Sequence, residues 1–249
     1  GSEMCIRDRL DVGNSAAKWR LVDAGRVIER GRFLLADPET QAGMLACAAQ
    51  VDAIWVASVA DPAADETLAS LLQGRWGVQP WFAQSSDAFG TLRNSYARPE
   101  RMGVDRWLAM IGARERAAGR LCVVDAGSAL TIDLVAADGQ HEGGYIIPGP
   151  ALMERALLLD TDRVRFDGPA GYALTPGRST AEAVRHGIAL AQAGAVALAL
   201  LRAGEEDPPS LLFCGGAGAS LMQLLGRGGL WVPDLVFEGL ERLAEASAA

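Results

Sequence analysis

A short device occurs twice in this chain, as Asp11-Val12-Gly13-Asn14-Ser15 and as Asp125-Ala126-Gly127-Ser128-Ala129. Its residue types suit phosphate chemistry: the glycine lets backbone N–H groups approach an anion, the small hydroxyl adds a donor, and the carboxylate can hold a cation against the negative charge. Two copies point to two jaws around one nucleotide. Ordinary tight turns are the plainer reading, because they prefer the same residues. The first copy is followed by Lys18, the sole lysine; the other twenty-two of the 23 basic residues are arginine. A compact ammonium is a common point-charge partner of phosphate, which favours a binding role for Lys18 over a surface position beside Trp19. A third loop, Gly215-Gly216-Ala217-Gly218, follows the apolar run Leu211–Cys214. Paired glycines there would let the backbone lie close to a flat ligand such as a purine, or let a helix pack closely.

Each loop needs a strand to carry it. Lys18–Val22 and Arg26–Leu34 read as two extended runs joined by Asp23-Ala24-Gly25, a turn of hairpin type. Helical and extended segments then alternate: Pro38–Gln50 helical, Ala53–Val59 a buried strand, Pro62–Gly74 helical, Val78–Phe82 extended. A polar loop, Ser85–Arg101, leads into a helix from Val104 to about Ala118. The order of events then restarts, with the strand Leu121–Asp125, the second loop, the run Thr131–Ala136, a turn at Ala137-Asp138-Gly139 and a strand toward Ile147. A repeat of this kind reads as a duplicated α/β domain. The expected halves are residues 1–118 and 119–249. Helices near Pro150–Leu159 and Thr180–Ala203 complete the second half, the latter Ala-rich and suited to close packing in a dimer or in the core.

Composition sets the bounds. With 249 residues, 50% hydrophobic and 22% charged, the chain can bury a substantial core as one large or two small domains. A net charge of −8 argues against a general nucleic-acid binder and favours small-molecule chemistry. Four scattered cysteines, Cys5, Cys47, Cys122 and Cys214, read as reduced thiols of a cytoplasmic protein. Two histidines, His141 and His186, leave little material for a zinc site or a Ser-His-Asp triad. The longest apolar stretch, Ile188–Leu201, is too short to span a bilayer, and no targeting segment is evident.

The first nine residues conflict with this scheme. Gly1-Ser2 looks like a tag remnant, and Arg7, Asp8 and Arg9 place three charges where a strand leading to Asp11 should bury apolar side chains. The expectation is a short, edge-like strand, or a true start near Leu10.

The two Asp-x-Gly loops and the Gly215-Gly216 turn resemble the two phosphate motifs and the adenosine motif of the sugar kinase/Hsp70/actin superfamily. Within it, Asp11-Val-Gly-Asn-Ser, Lys18-Trp-Arg, Tyr96, Gly103-Val104-Asp105-Arg106-Trp107, Asp125-Ala-Gly-Ser128, Gly143-Gly-Tyr-Ile-Ile-Pro-Gly149 and Pro176-Gly-Arg-Ser-Thr180 resemble type III pantothenate kinase, from about Leu10 to Leu240. The resemblance implies two ribonuclease-H-like (actin-like ATPase) halves with a cleft between them, and transfer of the γ-phosphoryl group of ATP to pantothenate. Asp105 would be the proton acceptor, at a helix start that an acid favours in any case. Tyr96, Gly103, Val104, Arg106 and Thr180 would contact pantothenate, Thr180 from a neighbouring subunit of a homodimer. Asp11, Val12, Gly13, Asn14, Ser15, Lys18, Gly127, Ser128, Gly215 and Gly216 would hold ATP. Asp11 would lie near Mg2+, and Asp125 would bind a monovalent cation, K+ or NH4+. Ser128 stands where the family usually has Thr, keeping the hydroxyl and losing the methyl. A non-catalytic regulatory relative of the same lineage, and a kinase acting on another small anion, stay open as alternatives. Retention of Asp11, Asp105 and Asp125 favours an active kinase.

Overall fold

A computed structural model describes residues 6–13, 16–35, 37–47, 50–160, 170–204 and 206–248. In β1 (Ile6–Val12) the alternate side chains of Asp8, Leu10 and Val12 turn to one face and are buried, the period of a strand packed on that side. β2 (Ala16–Asp23) pairs antiparallel with β1, and β3 (Arg26–Leu34) returns through Ala24 and Gly25, at φ +45° and +78°. Both angles lie in the left-handed region that matches the twist of a tight hairpin. α1 (Pro38–Ala46), β4 (Ala53–Ser58), α2 (Pro62–Trp76) and β5 (Trp81–Phe82) follow, with β4 parallel to both β1 and β5. Asp37 and Asp61 accept N–H groups at the starts of α1 and α2, and a proline occupies the first turn of each. The sheet order is β3-β2-β1-β4-β5. Leu10, Val12, Phe33, Met44, Ile54, Val56 and Leu72 form its core, each almost wholly buried.

After a small hairpin, β6 (Ala88–Phe89) and β7 (Leu92–Arg93), and the helix α3 (Val104–Arg116), the pattern repeats. β8 (Leu121–Ala126), β9 (Ala129–Val135) and β10 (His141–Pro148) form a meander in which β9 pairs antiparallel with both β8 and β10. Then come α4 (Pro150–Asp160), α5 (Thr180–Ala203), β11 (Ser210–Cys214) parallel to β8, α6 (Gly218–Leu225), β12 (Leu230–Trp231) and α7 (Leu235–Ala248). The order β10-β9-β8-β11-β12 reproduces the first sheet strand for strand. Its core gathers Val124, Leu130, Ile132, Val196, Phe213 and Leu221.

Packing groups residues up to Asp87, Ala97–Gly112 and Val236–Ala249 in one unit, and Ala88–Tyr96 with Ala113–Leu235 in the other. The units therefore do not follow the single boundary after residue 118: α7 belongs with the first sheet and the β6–β7 hairpin with the second. In the first unit, Gly239 of α7 lies so close to the Leu108 carbonyl that a Cβ there would collide with it.

This packing corrects the expectation for the charged N-terminal run. β1 is central in its sheet. Arg7, Arg9 and Asp11 share the face opposite Asp8, and α7 supplies the countercharges. Arg9 Nε lies 2.7 Å from Glu241 Oε1, and Arg20, directly across the ladder from Arg9, donates to the same oxygen. The guanidinium of Arg9 also stands 4.8 Å from the ring centre of Trp55, and that of Arg20 4.7 Å from Phe237. Arginine stacks on rings while its charge is met at the edge, so a strand with these charges can lie in the middle of a sheet.

α5 is longer than the apolar run Ile188–Leu201 within it because the helix already starts at Thr180, and Gln192 and Gly194 interrupt the apolar pattern without ending it. At 24 residues, with a window of mean hydropathy 1.5, it is long and apolar enough to cross a membrane. One face, including Ile188, Ala189, Gln192, Ala193, Val196 and Ala199, is buried within the second unit, while Leu190, Leu198 and Leu201 are exposed.

Candidate active site

In the first unit, Asp11 is half-buried near the end of β1, and Lys18 is its direct partner across the β1–β2 ladder, exposed to solvent. The Gly13 N–H donates to the Ala16 carbonyl at 3.0 Å, closing the turn. Asn14 and Ser15 lie outside the described residues. Val12 faces the core, and its carbonyl accepts the Val59 N–H at 3.0 Å, so the ends of β1 and β4 are tied together. Asp105 stands in the first turn of α3, half-buried. Its Oδ1 accepts the Arg106 N–H at 2.8 Å and lies 2.6 Å from where a Cβ on Gly103 would sit. The same point is 4.0 Å from Val59 Cγ1. The Asp105 turn therefore lies at the carboxyl ends of β1 and β4, the edge at which α/β sheets bind ligands. The absence of a side chain at position 103 is what leaves the carboxylate its place. Val104 and Arg106 are buried, at 7% and 4% exposure, so Val104 can offer a ligand only its backbone.

The second unit has the matching edge. Asp125 is half-buried at the end of β8, and Gly127 and Ser128 are exposed in a turn closed by the Gly127 N–H donating to the Ala129 carbonyl at 2.9 Å. Two further segments are sewn to this turn. The Gly149 N–H donates to the Ser128 carbonyl at 2.9 Å, and the Ala217 N–H to the Ala126 carbonyl at 2.9 Å. Gly215, at φ +79°, approaches the Asp125 carboxylate so closely that any Cβ would overlap it. Asp125, Gly127, Ser128, Gly215 and the exposed Gly216 thus form one cluster at one end of the sheet.

Tyr96 is elsewhere in this unit. Its ring stacks on His141, with centroids 6.4 Å apart at 29°. His141 pairs with Val135, which pairs with Leu121 at the start of β8, so Tyr96 lies at the opposite end of the sheet from Asp125. Thr180 is exposed at the start of α5, in a groove of about 1090 Å3 between α4 and α5 lined by Leu152, Met153, Val184 and Ile188. The cap of α5 is Ser179, whose Oγ accepts the Glu182 N–H at 3.2 Å; Thr180 is the first helical residue, not the cap. Glu154 of α4 binds Arg185 of α5 at 3.1 Å and fastens the groove's two walls.

Each phosphate-type turn offers one carboxylate, and no group of three or more His, Cys, Asp or Glu able to hold a metal occurs among the described residues. Single carboxylates beside backbone N–H groups suit a hard cation that draws its remaining ligands from phosphate oxygens and water, as Mg2+ does on a nucleotide.

Several contributors were invisible to motif reading. Ser95, Asp133 and His141 form a hydrogen-bonded chain beside Tyr96. The available signal was a lone acid, Asp133, within the apolar strand Ala129–Val135.

Comparison with known proteins adds the family. The model of the type III pantothenate kinase family matches residues 9–201. A type III pantothenate kinase from Marinobacter nauticus is 37% identical over 237 residues, covering 95% of this chain and 97% of the relative. One from Halorhodospira halophila is 40% identical over 248 residues, covering 94% and 96%. Among solved structures, a conserved Baf family protein from Campylobacter jejuni superposes with a TM-score of 0.63 at 21% identity, over 97% of this chain and 98% of that one. That likeness supports the actin-like ATPase and sugar kinase fold.

Proposed function

The chain belongs to the type III pantothenate kinase family, and on that footing we propose how its residues divide the work of moving the γ-phosphoryl group of ATP to the primary alcohol of pantothenate. The reaction supplies 4′-phosphopantothenate to coenzyme A biosynthesis. The observation that carries the assignment is the setting of Asp105: a carboxylate in a helix first turn, at the carboxyl ends of β1 and β4, in the space that a side chain at Gly103 would crowd.

Asp105 accepts the proton of the pantothenate hydroxyl as its oxygen attacks the γ-phosphorus. The bond to the β–γ bridging oxygen breaks and ADP leaves. Arg106 and the backbone of Gly103 and Val104 bind the acceptor in the first unit; the contact assigned to Tyr96 of the second unit rests on the family likeness alone, since Tyr96 lies at the other end of its sheet from Asp125. In the first unit, Asp11, Gly13 and Lys18 receive phosphate oxygens. In the second, Gly127 and Ser128 do the same, and Gly215 and Gly216 leave room for the adenosine. Mg2+, held near Asp11 and by the nucleotide itself, neutralises phosphate charge when bound.

Three finer assignments belong to the same reading. Asp125 binds a monovalent cation, K+ or NH4+. The chain is a homodimer through the α4–α5 face, where Leu190, Leu198 and Leu201 are exposed, and Thr180 completes the partner's site. The enzyme is cytoplasmic, in keeping with its use of ATP and with the free thiols of Cys47, Cys122 and Cys214.

A substrate panel tests the reaction. Turnover with ATP and pantothenate, and none with a sugar or acetate, is the expected result; turnover of another acceptor alone would overturn the assignment.

A further inference from the structure

We propose that Asp133, His141 and Ser95 form a positioning relay that sets the orientation of Tyr96 and thereby the affinity for pantothenate. The inference rests on the assignment of Tyr96 as a pantothenate contact.

The relay runs from the core of the second unit to its surface. Asp133 is 1% exposed on β9, on the face it shares with Thr131 and Val135 and opposite the one that Leu130 and Ile132 turn to the apolar core. His141 Nε2 lies 3.0 Å from Asp133 Oδ1, and its other ring nitrogen, Nδ1, lies 2.9 Å from Ser95 Oγ, so the imidazole bridges carboxylate and hydroxyl through both nitrogens. His141 is itself only 1% exposed, whereas Ser95 is exposed. The geometry therefore spends two buried polar groups on fixing one surface residue, a costly arrangement for the core unless both are bonded.

The residue after Ser95 is Tyr96, and the same imidazole forms the floor on which its ring stacks. Its backbone is held as well: the Tyr96 N–H donates to Asn94 Oδ1 at 3.0 Å. The preceding hairpin is docked on the β9–β10 turn, with the Arg93 N–H donating to the Gly139 carbonyl at 2.9 Å. A Cβ at Gly139 would strike the Thr91 carbonyl, so the two turns are in direct contact. Hairpin docking fixes the segment, and the relay fixes the rotation of its last two residues. One imidazole thus meets Ser95 through an edge and Tyr96 through a face. Nothing in this arrangement places the three residues against reacting atoms, so they act through Tyr96.

Steady-state kinetics on the full chain test the proposal, using Ser95→Ala, Asp133→Asn and Tyr96→Ala. Ser95→Ala deletes only the surface end of the relay. It is expected to raise KM for pantothenate about two- to tenfold, the range of one lost hydrogen bond, with kcat and KM for ATP within about twofold of the parent. Ser95→Thr, which keeps the hydroxyl, is expected to restore the parent value. With 15N-labelled histidine, the two histidines give two pairs of ring-nitrogen signals, and those of His141 are expected to shift on adding pantothenate alone. An unchanged pantothenate KM in Ser95→Ala, while Tyr96→Ala raises it, would overturn the relay and leave the Tyr96 assignment standing. An unchanged KM in Tyr96→Ala would overturn that assignment itself, and the relay with it. Equal loss for ATP and pantothenate in Ser95→Ala would show general damage to the unit and also overturn the proposal. Asp133→Asn, judged with its thermal midpoint, reports whether the buried end is needed for the same effect.

Discussion

Lys18 stands directly opposite Asp11 across the β1–β2 ladder, so the sole lysine of the chain and the carboxylate of the first phosphate-type turn are held in register by backbone hydrogen bonds. In the second unit Asp125 has Thr131 opposite it instead. The duplicated frame therefore carries unlike side chains at matching positions, and the cationic partner of the phosphates is assigned to one half only. Replacing Lys18 by Met, which keeps the length and removes the charge, is expected to raise KM for ATP by about tenfold or more. KM for pantothenate should change far less, and initial rates at varied ATP read the difference.

Gly215 and Gly216 are adjacent but not equivalent. Gly215→Ala forces a side chain into a left-handed backbone and onto the Asp125 carboxylate. The backbone alone costs about 1–2 kcal/mol, and displacement of Asp125 should raise KM for ATP as well. A Cβ at Gly216 meets nothing within 4 Å, and its φ is not left-handed. Gly216→Ala should therefore leave the thermal midpoint near that of the parent, while reporting through KM for ATP how closely the nucleotide approaches.

Glu241 is the countercharge for two buried arginines. Glu241→Ala takes from Arg9 and Arg20 the carboxylate they share, with an expected loss of at most about 3–5 kcal/mol in unfolding by denaturant. Glu245→Ala removes the partner of Arg7, at 3.7 Å and largely exposed, and should cost less than about 1 kcal/mol.

Asp8 gives the chain a pH dependence of opposite sign to the usual carboxylate. It is fully buried on the core face of β1, no hydrogen bond of good geometry reaches either oxygen, and burial pushes its carboxyl up to about 7, an effect Arg9 only partly offsets. Below about pH 4 the group is neutral in both the folded and the unfolded chain. As pH rises toward 7 the unfolded chain releases the proton and the folded one keeps it, so stability falls, by on the order of 4 kcal/mol. Asp8→Asn removes this slope. Its stability relative to the parent should be greater at pH 8 than at pH 4.5 in denaturant titrations; a constant difference would contradict the burial argument.

Local signals made parts of the fold legible and distant partners hid the rest. The hairpin strand Arg26–Leu34 and the helix Thr180–Ala203 follow from turn and cap residues within a few positions, Ala24-Gly25 before the strand and Ser179 before the helix. The repeat of strand, turn and strand led to two matching sheets. β1 was misjudged because Arg20 and Glu241, which make its charged face possible, are separated by 221 residues. The two-residue strands of the β6–β7 hairpin carry no periodicity, so that segment read as a loop. Of the candidate site, the glycine turns stood out by residue type and order, and Asp105 only through the family resemblance, since an acid at a helix start is otherwise commonplace. The Ser95–His141 contact joins positions 46 apart and belongs to no motif. A count of two histidines suggested little for them to do.

The proton-accepting role of Asp105 is tested most directly by comparing the parent with Asp105→Asn in ATP-dependent phosphorylation of pantothenate at saturating substrates, with K+ and with Na+ as the monovalent cation. The predicted result is K+-dependent turnover by the parent and a loss of about 10²–10⁴-fold in kcat for Asp105→Asn, with ATP binding retained. A variant that turns over at the parental rate would contradict the assignment of Asp105 as the base.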